Sequence, residues 1–211
     1  RGPLIGPMIL AGCLMQKESE KSLKNSGVND SKLLTQKIRE LLEVDIKKNC
    51  TDFHVVKIAA SEIDKSLESG TNLNEVEANA TALIINKLNK GEEKIKVVVD
   101  CPSINIKTWT ESLKKKIKNL SNLEISCEHK ADKNHIAVSA ASILAKCERE
   151  KEMQKLKAKY GSEIGSGYTS DPLTQEFVKK YAIKYCNEGL FRKTWQTYKN
   201  AIKEKGQTTL F

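Results

Sequence analysis

Short runs of β-branched and apolar residues alternate with stretches of helical period along the first two thirds of this chain. An apolar run bounded by turn signals is typical of a buried strand, whereas apolar residues three and four apart are typical of a helix. Because strands that alternate with helices build layered sheets, the pattern predicts an α/β fold around a mixed or parallel sheet. We expect strands at residues 4–15, 53–60, 94–100 and 123–129.

The predicted helices fill the intervals between these strands and occupy the last third of the chain. Thr35 is placed to cap a helix whose apolar face consists of Ile38, Leu41, Leu42 and Ile46. Further helices are expected at 61–70, 73–89, 107–119, 138–161, 174–186 and 192–204. We therefore predict an α/β domain at residues 1–160, a loop and helical extension of the same domain at 161–204, and a flexible tail at 205–211.

The net charge of the chain indicates which class of partner it can bind. It carries 36 Lys and Arg against 27 Asp and Glu, a formal net charge of +9. This balance suggests a polyanionic partner, most often nucleic acid, although a lysine-rich solvated surface gives the same composition. No apolar run approaches the length of a membrane span, and residues 4–15 lack the basic lead-in of a secretory signal. We therefore expect a soluble globular protein without a membrane partner.

Cysteine and histidine spacing does not indicate a metal centre built from these residues. No two of the six cysteines form a CxxC pair, so a zinc knuckle is not expected. Small buried thiols in a reduced, cytoplasmic protein are the simplest interpretation. His129 and His135 lie six residues apart, which matches no common ligand spacing.

Two aspartates stand where a predicted strand ends. Asp100 closes the run KVVVD, and the carboxyl ends of strands in open α/β sheets face the crevice where ligands bind. A capping aspartate in the turn before Pro102 explains this stretch equally well. Asp132 follows the next strand and precedes a helix of small residues, whose N–H groups favour anions, but an aspartate at a helix start is also common.

The segment EIGSGYTSDPLT at 163–174 is the third candidate. Gly165 and Gly167 allow the backbone to approach a ligand closely. Tyr168 is a lone aromatic residue that follows the two glycines and precedes a turn with a proline. An aromatic ring on a loop can stack on a sugar or a base. The alternative is a turn whose tyrosine packs on the core.

Taken together, these stretches are far more specific than any one of them. RGPLIGPM, NDSKLLT, VVVDCPSIN, HKADKNHIAVSAASILAK and GSGYTSDPLTQEF follow one another in this order. The chain resembles ribonuclease HII, the type 2 ribonuclease H, and most closely its archaeal branch, from residue 1 to about residue 197. The resemblance implies a ribonuclease H-like mixed sheet flanked by helices, with a C-terminal helical extension.

The resemblance also implies an activity. Members of the family cut the RNA strand of RNA–DNA hybrids and cut 5′ of ribonucleotides embedded in DNA, leaving 3′-hydroxyl and 5′-phosphate ends. Divalent metal, Mn²⁺ or Mg²⁺, activates the attacking water. In this chain Asp100 and Asp132 match acids of the metal site.

The matched substrate residues are spread over the whole chain. Arg1 and Gly2 match the motif that reads the 2′-hydroxyl, and Tyr168 matches the residue that packs on the neighbouring deoxyribose. Predicted contacts to the substrate backbone, which include phosphate contacts, come from Ser31, Lys32, Lys130, Lys146 and Arg149. The chain departs from the family at Leu33, where a second lysine is usual, and at Thr169, where proline is usual.

The first residues raise an expectation about activity. In the family an Asp-Glu-Ala-Gly segment precedes the motif that begins here at Arg1, and its two acids complete a set of four. We therefore expect an N-terminally truncated fragment that lacks the first strand and is impaired as an enzyme. The alternative is a catalytically dead chain that still binds hybrids. A resolvase-like member of the wider ribonuclease H-like superfamily is a third interpretation, against which GSGYTSDP argues.

The tail QTTLF resembles the start of a sliding-clamp-binding box. Gln207 and Leu210 fit that pattern, whereas Phe211 falls one place early. Clamp binding and a chance tail are both open. We expect the protein to be a monomer.

Overall fold

The computed structural model describes residues 1–29 and 31–208, with the backbone alone for 205–208. Its strands are β1 (Met8–Leu14), β2 (Asp52–Ile58), β3 (Ile95–Asp100) and β4 (Leu123–Glu128). Its helices are α1 (Lys17–Asn25), α2 (Gln36–Asn49), α3 (Ala60–Glu68), α4 (Leu73–Leu88), α5 (Ile106–Lys114), α6 (Ala131–Asn134), α7 (Ile136–Tyr160), α8 (Pro172–Tyr181) and α9 (Gln196–Thr208). No helix within these residues is long and apolar enough to cross a membrane.

All four predicted strands are confirmed, although the first is shorter than predicted. Residues 4–7 precede β1, and Ile5 forms only an isolated antiparallel bridge with Phe191. Helices α1 and α6 were not predicted. Helix α1 has the sequence KESEKSLKN, in which Leu23 is the one apolar residue and the one buried residue. Because a single apolar residue shows no helical period, this helix could not be predicted from the sequence.

Two compact units make up the structure. The loop unit consists of residues 1–8, 57–72 and those from 149 onward, and the sheet unit consists of residues 9–56 and 73–148.

Within the described residues the strands pair as two two-stranded sheets, β1 with β2 and β3 with β4. Strand β3 runs parallel to β4, from Ile95 opposite Leu123 to Asp100 opposite Glu128. The β-branched run at 97–99 favours this extended conformation. One face of the pair packs on α4 and α5, where Trp109 and Leu113 are buried. This packing fixes the end of β3 at which Asp100 lies.

Helix α2 begins as predicted, but its buried face differs. The Thr35 hydroxyl accepts a hydrogen bond from the Ile38 backbone N–H, so the predicted cap is confirmed. Leu42 and Ile46 are buried, whereas Ile38 is 44% and Leu41 65% exposed, so the predicted apolar face was wrong at these two positions. The core formed by α1 and α7 covers Leu42 and Ile46 but not every apolar residue of α2.

The loop unit is built around one aromatic core. Leu4, Ile5, Phe177 and Phe191 are fully or almost fully buried there, with residues of α8 and α9 packed around them. The backbone N–H groups of Leu4 and Ile5 both donate to the Gly167 carbonyl, at 2.8 and 3.1 Å. The first residues of the chain are therefore fastened to the segment that carries Tyr168. Helix α9 continues to Thr208, four residues beyond its predicted end.

Candidate active site and nucleic-acid interface

Asp100 is positioned by the parallel pairing of β3 with β4. It is the last residue of β3, and the Cys101 backbone N–H donates to the Glu128 carbonyl at 2.8 Å, which continues the ladder past it. Its Oδ1 accepts a hydrogen bond from the Ala131 backbone N–H at 3.2 Å. The two strand ends are thus held together at the point where the predicted acids lie.

The turn after β4 presents the second acid. Lys130 adopts a left-handed conformation with φ 58° and ψ 35°, which is uncommon for a residue other than glycine. This turn directs the Ala131 N–H at Asp100 and starts helix α6, in which Asp132 is the second residue. The Ser139 hydroxyl donates to the Asp132 backbone carbonyl and holds α6 against the start of α7. Backbone strain at a turn of this kind is often found at functional sites.

Asp132 is a buried carboxylate with one described cation beside it. The residue is 3% exposed, and the Lys32 Nζ lies 3.5 Å from its Oδ2. Within the described residues its Oδ1 is buried and has no hydrogen-bond partner. A buried carboxylate oxygen without a partner is costly, and a bound cation would satisfy it. We call Asp100, Asp132 and Lys32 the carboxylate site.

Burial and charge raise the pKa of Asp100. Although the residue as a whole is exposed, neighbouring atoms desolvate its carboxyl, and this is the main cause that raises the pKa above its ordinary value. The charge of Asp132 raises the pKa further, while the hydrogen bond from the Ala131 N–H opposes the shift. A carboxylate whose ionisation is disfavoured by burial and by a neighbouring negative charge is suited to a cation that relieves the repulsion.

The other predicted substrate residues of the sheet unit differ in access. Ser31 is fully buried, and its hydroxyl is 2.8 Å from the Ser142 hydroxyl, so a direct contact with substrate would require it to move. It instead fixes the chain next to Lys32, whose side chain is 66% exposed. Lys130 is exposed and Lys146 is half-buried on α7, and their contacts with phosphate remain predictions.

In the loop unit, the segment 163–174 forms a hydrogen-bonded turn that leads into α8 and is here called the tyrosine loop. Gly165 has φ 69° and ψ −147°, a region open essentially to glycine alone. A Cβ at this position would lie 2.5 Å from the Asp171 Oδ2 and 2.7 Å from the Thr174 Oγ1. Asp171 in turn accepts from the Leu173 N–H at 3.0 Å and caps α8. Gly165 is therefore required by this backbone conformation.

The tyrosine loop presents Tyr168 at the surface, 44% exposed. The Arg149 guanidinium lies 5.0 Å from the centre of its ring and donates to the Ser166 carbonyl at 3.1 Å. A Cβ on Gly2 would lie 3.6 Å from the Tyr168 ring. The structure therefore brings together Tyr168, Gly2 and Arg149, three of the predicted substrate residues, and gives Arg149 a role in holding the tyrosine.

Two buried residues of the loop unit were missed by the sequence analysis. Thr174 is fully buried and bonds within the tyrosine loop, and Arg192 is fully buried and bonds to the Arg1 carbonyl at 2.9 Å. The only sequence signal for Arg192 is a charged residue in the apolar run LFRKTW. For the predicted clamp-binding tail, Leu210 and Phe211 lie outside the described residues, and Gln207 is described by its backbone alone.

Comparison with known proteins identifies the family. The family model of Ribonuclease HII matches residues 1–198. A ribonuclease HII of Methanococcus maripaludis strain C6 is 42% identical over 214 residues, which cover 100% of this chain and 87% of the relative.

Solved structures agree with this match. The crystal structure of ribonuclease H2 from Pyrococcus horikoshii OT3 has a TM-score of 0.85 and 34% identity, covering 97% of this chain and 93% of that one. The matched chain in the PCNA:RNase HII complex from Archaeoglobus fulgidus has a TM-score of 0.81 and 34% identity, covering 95% and 91%. The predicted family resemblance and the ribonuclease H-like α/β fold are confirmed. The chain therefore belongs to the ribonuclease HII family, whose members are hydrolases of the ribonuclease H type that cut within RNA.

Proposed function

We propose that this chain hydrolyses the RNA strand of RNA–DNA hybrids and cuts 5′ of ribonucleotides embedded in DNA, giving 3′-hydroxyl and 5′-phosphate ends. The observation that carries the proposal is the carboxylate site, in which Asp100 ends β3 and the buried Asp132 follows the turn after the paired strand β4, in a chain of this family.

The donor atoms of the carboxylate site fit a hard divalent cation. Asp100 and the unpartnered Oδ1 of Asp132 offer carboxylate oxygens, which Mg²⁺ and Mn²⁺ prefer to nitrogen or sulfur. When bound, the metal supplies an activated water and stabilises the leaving oxygen. The described residues contain no group of three or more His, Cys, Asp or Glu that could hold a metal. We therefore propose two protein ligands within the described residues, with the choice between Mn²⁺ and Mg²⁺ open.

The residues around the carboxylates have separate roles in this proposal. Asp100 must lose its proton before it can bind a cation, and its raised pKa makes protons compete at a higher pH than for a free aspartate. Lys32 balances the charge of Asp132, and its exposed ammonium contacts the substrate backbone. Ser31 holds Lys32 in place from the interior.

The loop unit supplies recognition of the sugar. Tyr168 packs on a deoxyribose, and the exposed Arg1–Gly2 segment contacts the 2′-hydroxyl, which is the group that distinguishes RNA from DNA. The Arg149 guanidinium contacts the Tyr168 ring and holds it in position.

A second candidate function is hybrid binding without cleavage. The observation that favours it is the pair of acids, because no larger acid group occurs within the described residues. The two functions differ in one measurable property: both require affinity for a ribonucleotide-containing duplex, and only the first requires a cut.

The test is cleavage of a DNA duplex with one ribonucleotide in Mg²⁺ or Mn²⁺. We would compare this chain with a version that carries Asp-Glu-Ala-Gly before Arg1, and with Asp100→Asn in both. If only the extended version cuts 5′ of the ribonucleotide, the result supports both the proposed nuclease activity and the need for further acids in the metal site. If both cut equally, the two described acids suffice. If neither cuts although both are folded and bind the duplex, hybrid binding replaces the enzyme.

We further propose that the tail binds a sliding clamp. Support comes from Gln207 and Leu210 at the expected spacing and from the similarity to a ribonuclease HII solved in complex with PCNA. Calorimetry with an archaeal clamp should show binding that Leu210→Ala weakens at least tenfold. Unchanged binding by that variant would leave the tail as a chance match.

A cytoplasmic location and a monomeric state stay predictions.

A further inference from the structure

Arg192 is a fully buried charged side chain in the loop unit. It lies in the connection between α8 and α9, and its guanidinium is 5.1 Å from the centre of the Trp195 ring. Removing a guanidinium from water is costly unless its N–H groups find acceptors. The identity of those acceptors therefore shows what the burial of Arg192 stabilises.

Three hydrogen bonds join Arg192 to the first six residues. Its Nη1 donates to the Arg1 carbonyl at 2.9 Å, and its Nε donates to the Gly6 carbonyl at 3.2 Å. Its backbone N–H donates to the Leu4 carbonyl at 2.9 Å. One residue thus fastens the beginning, middle and end of the segment that contains Gly2.

The bond to the Arg1 carbonyl determines the direction of the Gly2 N–H. In a planar trans peptide the C=O and the following N–H point in opposite directions. Since the Arg1 carbonyl points at the buried guanidinium, the Gly2 N–H points away from it. Both Arg1 and Gly2 are exposed, and Gly2 lies against the Tyr168 ring. The segment therefore presents an N–H donor beside an exposed aromatic ring.

We propose that Arg192 is a positioning residue for ribose recognition. It orients the Arg1–Gly2 peptide so that the Gly2 N–H donates to the 2′-oxygen of a ribonucleotide whose neighbour packs on Tyr168. This inference rests on the proposed binding of ribonucleotide-containing duplexes. Lysine cannot replace Arg192, because a single ammonium cannot reach the Arg1 and Gly6 carbonyls with the fork geometry of a guanidinium.

The experiment measures the dissociation constants of two matched duplexes without added metal, one with a single ribonucleotide and one entirely of DNA. Arg192→Lys should lower the preference for the ribonucleotide about tenfold, the effect of losing roughly one charge-assisted hydrogen bond. Its affinity for the DNA duplex should change less than about twofold. The matched control is Arg149→Lys, which removes the contacts of Arg149 with Tyr168 and Ser166 but keeps the bonds from Arg192 to Arg1 and Gly6, so it should weaken both duplexes and keep the preference.

The outcomes separate this inference from the function on which it rests. If the wild-type chain shows no preference for the ribonucleotide, the proposed function fails and the inference fails with it. If the wild type shows the preference and a folded Arg192→Lys keeps it, only the role of Arg192 is refuted.

A second measurement covers the case in which Arg192→Lys does not fold. The chain has 11 glycines, so a wild-type sample labelled with ¹⁵N-glycine gives a simple spectrum, in which Gly2→Ala assigns the Gly2 signal. The Gly2 amide should shift with the ribonucleotide duplex and not with the DNA duplex. Equal shifts with both duplexes would overturn the proposal.

Discussion

Thr174 is a fully buried hydroxyl residue of the tyrosine loop, and its replacement by valine tests the loop architecture. Its hydroxyl accepts from the Gly167 N–H at 2.9 Å and donates to the Ile164 carbonyl at 3.0 Å. The Gly167 carbonyl accepts from the N–H groups of Leu4 and Ile5. The buried hydroxyl therefore holds Gly167, whose carbonyl in turn binds the first residues of the chain.

The cost of Thr174→Val follows from the groups left without partners. Valine has nearly the same shape, so packing changes little. The Gly167 N–H and the Ile164 carbonyl each lose a buried partner, at about 1–2 kcal/mol each, which gives about 2–4 kcal/mol in total. For a chain of this size a loss of about 3 kcal/mol lowers the Tm by about 6–12 °C. Thr174→Ser keeps the hydroxyl and loses one buried methyl group, which costs about 1 kcal/mol.

The assay is urea unfolding of both variants and of Thr169→Val, a half-buried threonine of the same loop, which should change the free energy of unfolding by less than about 0.5 kcal/mol. Affinity for a ribonucleotide-containing duplex should fall more with Thr174→Val than with Thr174→Ser. The reasoning is refuted if the valine variant is as stable as the serine variant, because the hydroxyl would then contribute nothing.

Three further predictions concern single positions. Gly165→Ala introduces a side chain at φ 69° with a Cβ 2.5 Å from the Asp171 Oδ2, so it should lower the free energy of unfolding by about 2–4 kcal/mol in urea melts, and wild-type stability would contradict this. Lys32→Met should weaken hybrid binding and reduce the slope of log K against log salt by about one, and an unchanged slope would show that Lys32 serves only Asp132. The raised pKa of Asp100 means that its ionisation opposes folding as pH rises above 3.8, so metal-free Asp100→Asn should exceed the wild type in stability at pH 7 and match it below 3.8. Urea melts across this pH range that show a constant difference would contradict the shift.

Elements whose pattern is local could be predicted from the sequence. Strand β3, helix α4 and strand β4 were predicted because apolar periodicity and turn residues depend on neighbours along the chain. The Thr35 cap could be predicted for the same reason, because its hydrogen-bond partner, Ile38, is only three residues away. The carboxylate site could be foreseen in part, because Asp100 ends one predicted strand and Asp132 follows the next. Motif order then supplied the family, which comparison confirmed.

Contacts between side chains far apart in the chain depend on the fold and could not be predicted from the sequence. Lys32 reaches Asp132 over 100 positions, and Arg192 reaches Arg1 over 191. Ile38 and Leu41 are exposed although their spacing predicted burial, because a helix face is buried only where another element covers it. Burial of a polar group likewise depends on partners supplied from distant parts of the chain, so the roles of Arg192 and Thr174 became visible only once the fold had brought those partners to them.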